Sequence, residues 1–364
     1  MMERYLHGLL GLSLLIFACA KDIHVMPGSN DNDTDTVETN IDTALRSLSP
    51  YPFGAAVNIG LLKNNPNYRD LVIREFNSLT PENAMKLHFL RRESSAFDWA
   101  DADYLVDFAE EHGMRVHGHT LIWYKNIPDW LADFEGDSAA WEAVFKTHIQ
   151  TVVGRYKGRV GSWDVVNEAL DNDGHGLRES IWLEKLGPGY IGRAFEYAHE
   201  ADPDALLFYN DYGNEYGPTK RNAIIDLVNG LKAAGVPIHG VGMQMHTRYN
   251  REDHFHTAAI ESTAAATGLL VHIAELDIAM NPGNDPQLTF TADLAERQKQ
   301  AYHHIVSTFT GLPEAQRFGI TTWNVTDADS WIPGTYNRPD WPLPFDGAYA
   351  RKPAYDGILA GFDD

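Results

Sequence analysis

Eight short apolar runs recur along this chain, and stretches with helical spacing separate them. They are Phe53–Asn58, Glu75–Thr80, Arg115–Thr120, Trp163–Asn167, Leu206–Asn210, Val241–His246, Leu270–Glu275 and Gly319–Trp323. Strands that alternate with helices pair in parallel through right-handed crossovers. Eight such units predict an α/β fold, a (β/α)8 TIM barrel forming a single catalytic domain over residues 49–364. The clearest helical patterns cover Trp141–Tyr156 and Leu294–Phe309. A doubly wound open sheet is the alternative, but no run leads into a glycine-rich phosphate loop.

A barrel of this kind places its reactive side chains at the C-terminal ends of its strands. Seven of the predicted strands end in chemically capable residues. The second runs into Glu82 and Asn83, and the third passes through His117-Gly118-His119 to Trp123. The fourth ends in Asn167-Glu168, the fifth in Asn210-Asp211-Tyr212 and the sixth in Gln244-Met245-His246. The seventh ends in Glu275-Leu276-Asp277 and the eighth in Trp323-Asn324.

Charge excludes one class of partner. The chain has 29 Lys+Arg against 51 Asp+Glu, a net charge of -22. Such a surface repels phosphate backbones, so no nucleic-acid partner is expected. The N-terminus reads as an export segment. Gly8–Phe17 is a short apolar run behind Arg4, too short to span a bilayer comfortably. Ile16-Phe17-Ala18-Cys19 resembles a lipoprotein cleavage box, which would make 1–18 a signal peptide and lipidate Cys19. Ordinary cleavage near Ala18 or Ala20, with Cys19 incidental, is the other reading. The protein is thus expected at the cell envelope through a lipid anchor, or secreted. Residues 19–48 are acidic, lack aromatic residues over Gly28–Thr43, and are expected to be a flexible tether.

The ordered motifs resemble those of the endo-β-1,4-xylanases of glycoside hydrolase family ten. Their carriers are Phe53-Gly54-Ala55-Ala56, Thr80-Pro81-Glu82-Asn83-Ala84-Met85-Lys86, His117–Trp123, Trp163–Ala169, Asn210-Asp211-Tyr212, Gly240–His246, Glu275-Leu276-Asp277 and Thr322-Trp323. The resemblance implies retaining hydrolysis of xylan and xylo-oligosaccharides, with Glu168 as acid/base and Glu275 as nucleophile. One carboxyl must be protonated to serve the leaving oxygen, the other ionised to attack the anomeric carbon. His246 is then expected to bond the nucleophile, held in turn by Asp277, and Asn167 to bind the sugar 2-hydroxyl. Gln244 belongs near the acid/base. Glu82, Asn83, Lys86 and His119 would grip the sugar before the cleaved bond. Trp123, Trp323 and Trp331 would wall the cleft, and Tyr212 would stand on the leaving-group side. A dead barrel that only binds glycan at the cell surface is a second reading, which the presence of both glutamates opposes, and a retaining hydrolase of another β-1,4-glycan is a third.

No cofactor and no required metal are expected. The chain has 16 histidines, but none sits in an H-E-x-x-H pattern or beside a cysteine ligand. The pairs His254-x-His256 and His303-His304 are expected to be solvated. A monomer is expected. Four positions depart from the family pattern: Leu87, Tyr124, Asn324 and Ile332. They leave the acid, the nucleophile and the gripping residues in place, and they bear on the distal subsites. Asn324 in particular is expected to crowd the cleft floor.

Overall fold

The computed structural model describes residues 43–363. The expected signal peptide, Cys19 and the tether as far as residue 42 lie outside them. All eight predicted strands are present, as β1 (Phe53–Val57), β2 (Ser78–Pro81), β3 (Arg115–Gly118), β4 (Ser162–Asn167), β5 (Leu206–Asp211), β6 (Gly240–Met243), β7 (Leu270–Ala279) and β8 (Arg317–Trp323). Each pairs in parallel with the next, and β8 returns to β1 through Phe53↔Ile320 and Ala56↔Trp323. The sheet is therefore closed, which leaves no edge strand to protect. Two short segments extend it at the mouth: Ile122–Trp123 beside β4 and His246–Arg248 beside the end of β7.

The helices supply the outer layer. The helix predicted over Trp141–Tyr156 runs Ser138–Arg155, and Asp137 caps it by accepting the Ala140 N–H. It buries Trp141, Phe145, Ile149 and Val152, with Trp141 and Phe145 packed on Trp182 of the next helical segment. The helix predicted over Leu294–Phe309 runs Ala292–Thr310, capped by Thr291 accepting from Leu294. A side-chain cap of this kind satisfies one of the four orphan N–H groups at a helix start.

Several strand ends shift by a few residues, and three boundaries differ from expectation for a clear physical reason. The predicted strand Glu75–Thr80 begins only at Ser78, because Glu75 closes the helix Pro66–Glu75. Its buried carboxylate is a hub that accepts from Leu45 N, Arg74, Arg351 and Tyr355 Oη. The predicted strand Val241–His246 stops at Met243, since Met245 takes φ 60° and turns the chain toward the cleft before pairing resumes at His246.

The third correction concerns the start of the barrel. Residues 43–48 were expected in the tether, yet Leu45–Leu48 forms a helical turn whose Leu45 is fully buried. Arg46 donates to the carbonyls of Ile73 and His112, and Tyr355 Oη shares its proton between Glu75 and Thr43 O, each 3.0 Å away. The composition of the segment is polar, but one leucine and a set of backbone bonds suffice to dock it. Deleting residues 1–48 should therefore cost about 2 kcal/mol or more relative to deleting 1–40, from lost Leu45 burial and a weakened Glu75 hub. Matched melting curves test this, and coincident midpoints would place the turn outside the cooperative fold.

Candidate active site

The C-terminal ends of the strands enclose a cleft of about 900 Å³. Every predicted site residue of the barrel lines it except Asn83. Asn83 is half-buried behind the wall, where its Oδ1 accepts from Lys86 Nζ at 3.2 Å.

Glu275 stands on β7 with both oxygens held. Oε2 lies 3.0 Å from His246 Nε2, and Oε1 accepts from Asn210 Nδ2 at 2.7 Å. His246 Nδ1 lies 2.8 Å from Asp277 Oδ2, which also accepts from Trp331 Nε1 at 2.8 Å. Burial opposes a charge on His246, but the charge and hydrogen bond of Asp277, and then Glu275, raise it well above the ordinary histidine value. The ring is thus an imidazolium that donates from both nitrogens. Burial likewise works to raise Glu275. The His246 hydrogen bond and the His119 and His246 charges outweigh it, so the carboxyl is held below the ordinary glutamate value. Glu275 is prepared as an anion.

Glu168 ends β4 in a different setting. Its φ is 57°, a left-handed conformation uncommon for a residue with a side chain, and its N–H is anchored to Asn210 O at 2.9 Å. Its Oε1 accepts from Gln244 Nε2 at 2.9 Å and from Asn167 Nδ2 at 3.2 Å. Both bonds fall on Oε1 and neither on Oε2. Among the described residues no cation bonds its carboxyl group, and Arg178 Nε donates instead to its backbone carbonyl at 3.0 Å. Asn210 Nδ2 donates to Asn167 Oδ1 at 3.0 Å as well as to Glu275, so a run of amides links the two carboxyl groups.

Asn210 was not among the predicted site residues. Register sets its place: it pairs directly with Asn167 across β4 and β5, so the two asparagines share a layer. Its other neighbour is Gly242, where a Cβ would press directly on the Asn210 amide. Glycine there makes room for the bridge.

On the opposite wall, Lys86 lies 4.9 Å from the ring centre of Trp123 and 5.6 Å from that of Trp323. Burial lowers its pKa against the pull of Glu275, Glu82 and Glu168. Glu82 accepts from Asn58 Nδ2 at 3.2 Å, and burial raises it. His119 is pinned by Asp164, its Nδ1 at 2.9 Å from Oδ2, while His117 Nε2 lies 3.0 Å from Oδ1. Across the cleft, Arg178 donates to Tyr212 Oη at 2.7 Å and lies 4.4 Å from the centre of the Tyr124 ring. Lys125, Arg248, Arg251 and Arg338 add a basic fringe that was not foreseen.

The four departures separate by position. Tyr124 and Ile332 line the cleft, whereas Leu87 packs into the core. Asn324 does not crowd the floor. It is fully buried at φ 78°, and its Oδ1 accepts the Trp331 N–H at 3.3 Å. Asparagine tolerates the left-handed region, so it supplies the bend and steadies Trp331 at once.

Glu215, beyond β5, is fully buried, and neither carboxyl oxygen has a hydrogen-bond partner among the described residues. Burial pushes it up to about 7, against the charges of Arg251 and His246. An acid whose folded pKa is raised loses stability as pH climbs from its unfolded value of about 4.3 to its folded one. Glu215→Gln should remove that loss. Melting temperatures at pH 5 and pH 8 should diverge less in the variant, and parallel profiles would show that the group does not titrate there.

The histidine pairs also need one correction. His254 is exposed as expected, but His256 is buried and bonded to Thr247 Oγ1 at 2.9 Å, and His304 is half-buried.

Two carboxyl groups across the mouth of a cleft, one held as an anion, form the arrangement that glycoside hydrolysis requires. The chain belongs to glycosyl hydrolase family 10, whose sequence model matches residues 41–361. It is 40% identical over 317 residues to an endo-1,4-beta-xylanase of Geobacillus stearothermophilus, covering 84% of this chain and 94% of that one. It is 38% identical over 348 residues to endo-1,4-beta-xylanase A of Thermoanaerobacterium saccharolyticum, covering 91% of this chain. It spans only 29% of that longer relative. Among solved structures, xylanase 10B from Thermotoga petrophila RKU-1 in complex with xylobiose superposes with a TM-score of 0.81 at 35% identity. That match covers 92% of this chain and 99% of the other.

Proposed function

We propose that this chain is a retaining endo-1,4-β-xylanase that cleaves internal β-1,4-xylosidic bonds of xylan by double displacement. The observation that carries the proposal is the unequal treatment of its two glutamates. Glu275 has both oxygens bonded, one to His246 and one to Asn210, whereas Glu168 receives only amide donors on one oxygen. In the first step Glu168 protonates the departing glycosidic oxygen while Glu275 attacks the anomeric carbon. In the second, Glu168 takes a proton from water, which displaces Glu275 from the sugar. Asn167 meets the 2-hydroxyl, a contact that strengthens in the transition state. Glu82, Lys86 and His119 bond the hydroxyls of the sugar on the non-reducing side, and Trp123, Trp323 and Trp331 offer flat faces to its C–H bonds. The reaction needs no cofactor. Family membership and the names of the relatives support xylan as substrate.

The test is hydrolysis of purified xylan beside mixed-linkage glucan and cellulose, with NMR of the first product. Xylan should be preferred, its viscosity should fall before reducing ends accumulate, and the new anomer should be β before mutarotation. A first-formed α anomer would remove the double displacement, and a preference for glucan would reassign the substrate.

A further inference from the structure

A second cluster of ligating side chains lies outside the cleft, where two outer helices meet. Asp253 begins the helix Asp253–Thr267, His256 follows one turn later, and His304 reaches them from the helix Ala292–Thr310. One ligand-capable atom from each lies within 4.8 Å of the others. His256 is 1% exposed. One of its nitrogens, Nε2, is bonded to Thr247 Oγ1 at 2.9 Å. The other, Nδ1, is buried with no hydrogen-bond partner among the described residues. His304 Nε2 lies 3.1 Å from both Thr257 Oγ1 and the Asp253 carbonyl.

We propose that Asp253, His256 and His304 form a binding site for one zinc-class divalent cation. Three features carry this. A buried, unpartnered imidazole nitrogen is costly unless something fills its lone pair. A ligating histidine ordinarily hands its second nitrogen to an oriented oxygen, which is the part Thr247 plays here. Two imidazoles and one carboxylate select borderline ions such as Zn²⁺ over Ca²⁺ or Mg²⁺, and they leave a fourth position for water. Metal–nitrogen bonds of about 2.0–2.1 Å need the ligands closer together than they stand here. Asp253 is exposed and His304 half-buried, so both have the freedom to close on the fixed His256. The ion would clamp the two helices together. Thr247 adjoins His246, so the clamp would also brace the segment that holds Glu275 through His246.

The experiment uses the full chain without a histidine tag, stripped with chelator and titrated with Zn²⁺ by calorimetry. One equivalent should bind more tightly than the rest and raise the melting temperature. His304→Ala and Asp253→Ala change surface-accessible ligands and should fold normally. Each should weaken that equivalent about tenfold or more, and His304→Ala should abolish the thermal shift. Thr247→Val should weaken it about 10–100-fold by removing the orienting bond. His254→Ala, an exposed histidine outside the set, should leave it unchanged. Zn²⁺ binding equal in wild type, His304→Ala and Asp253→Ala would overturn the site, as would Ca²⁺ displacing Zn²⁺ at equal concentration.

Discussion

Glu275→Ala should lower xylan hydrolysis by about four to six orders of magnitude, the loss typical when a nucleophile is removed from a concerted site. The variant should stay folded, because the imidazolium of His246 keeps Asp277 as its counter-charge. The vacated space beside His246 and Asn210 would admit a small anion. Added azide should therefore restore turnover of a xylobioside with a good leaving group, giving an α-glycosyl azide. In the wild type, a 2-fluoro-xylobioside with the same leaving group should stall the enzyme and add its sugar mass to the peptide containing Glu275. A label on any other carboxylate, or full activity in the alanine variant, would end the assignment while leaving the barrel unaffected.

Glu168→Ala should separate substrates by the quality of their leaving groups. Xylan departs as a sugar alkoxide and needs the proton, so its cleavage should fall by about 10²–10⁴-fold. An aryl xylobioside with an acidic phenol leaves unaided, and its first step should be nearly unaffected. Its second step should slow, since no base remains to activate water, so a burst of phenol should precede a slow steady rate. Azide needs no base and should relieve that second step, giving a β-glycosyl azide. Equal losses on both substrates would show that Glu168 acts by holding the cleft in shape.

The barrel was legible because its period is written at two scales. Apolar runs alternate with helical patterns along the whole chain, and each run ends in residues that have no reason to be apolar. The site was legible for the same reason, since a barrel gathers its strand ends whatever their distance in sequence. What stayed hidden depends on pairing across the sheet. Asn210 acquires its place only through the register that sets it beside Asn167 and opposite Gly242. Glu75 read as strand because its neighbours are apolar, yet four donors converge on its buried carboxylate. Asn324 looked obstructive by side-chain volume alone, and its backbone conformation turns that volume away from the cleft. His256 and His304 belong to different helices, so a search along the chain for metal-ligand spacing does not join them.

The seam that docks residues 43–48 has a practical consequence for attachment. Leu45 and Arg46 are bonded beside the entrances to β2 and β3, the end of the barrel opposite the cleft. Phe362, near the other end of the fold, stacks edge-on against Tyr51 and Phe53 at the entrance to β1, with ring centres 5.7 and 5.9 Å apart. Both ends of the fold are therefore rooted in the same base. A bead, a fusion partner or an engineered surface coupled through either end would hold the barrel by that base and leave the groove facing outward. A long, stiff polysaccharide could then lie across the mouth without meeting the support.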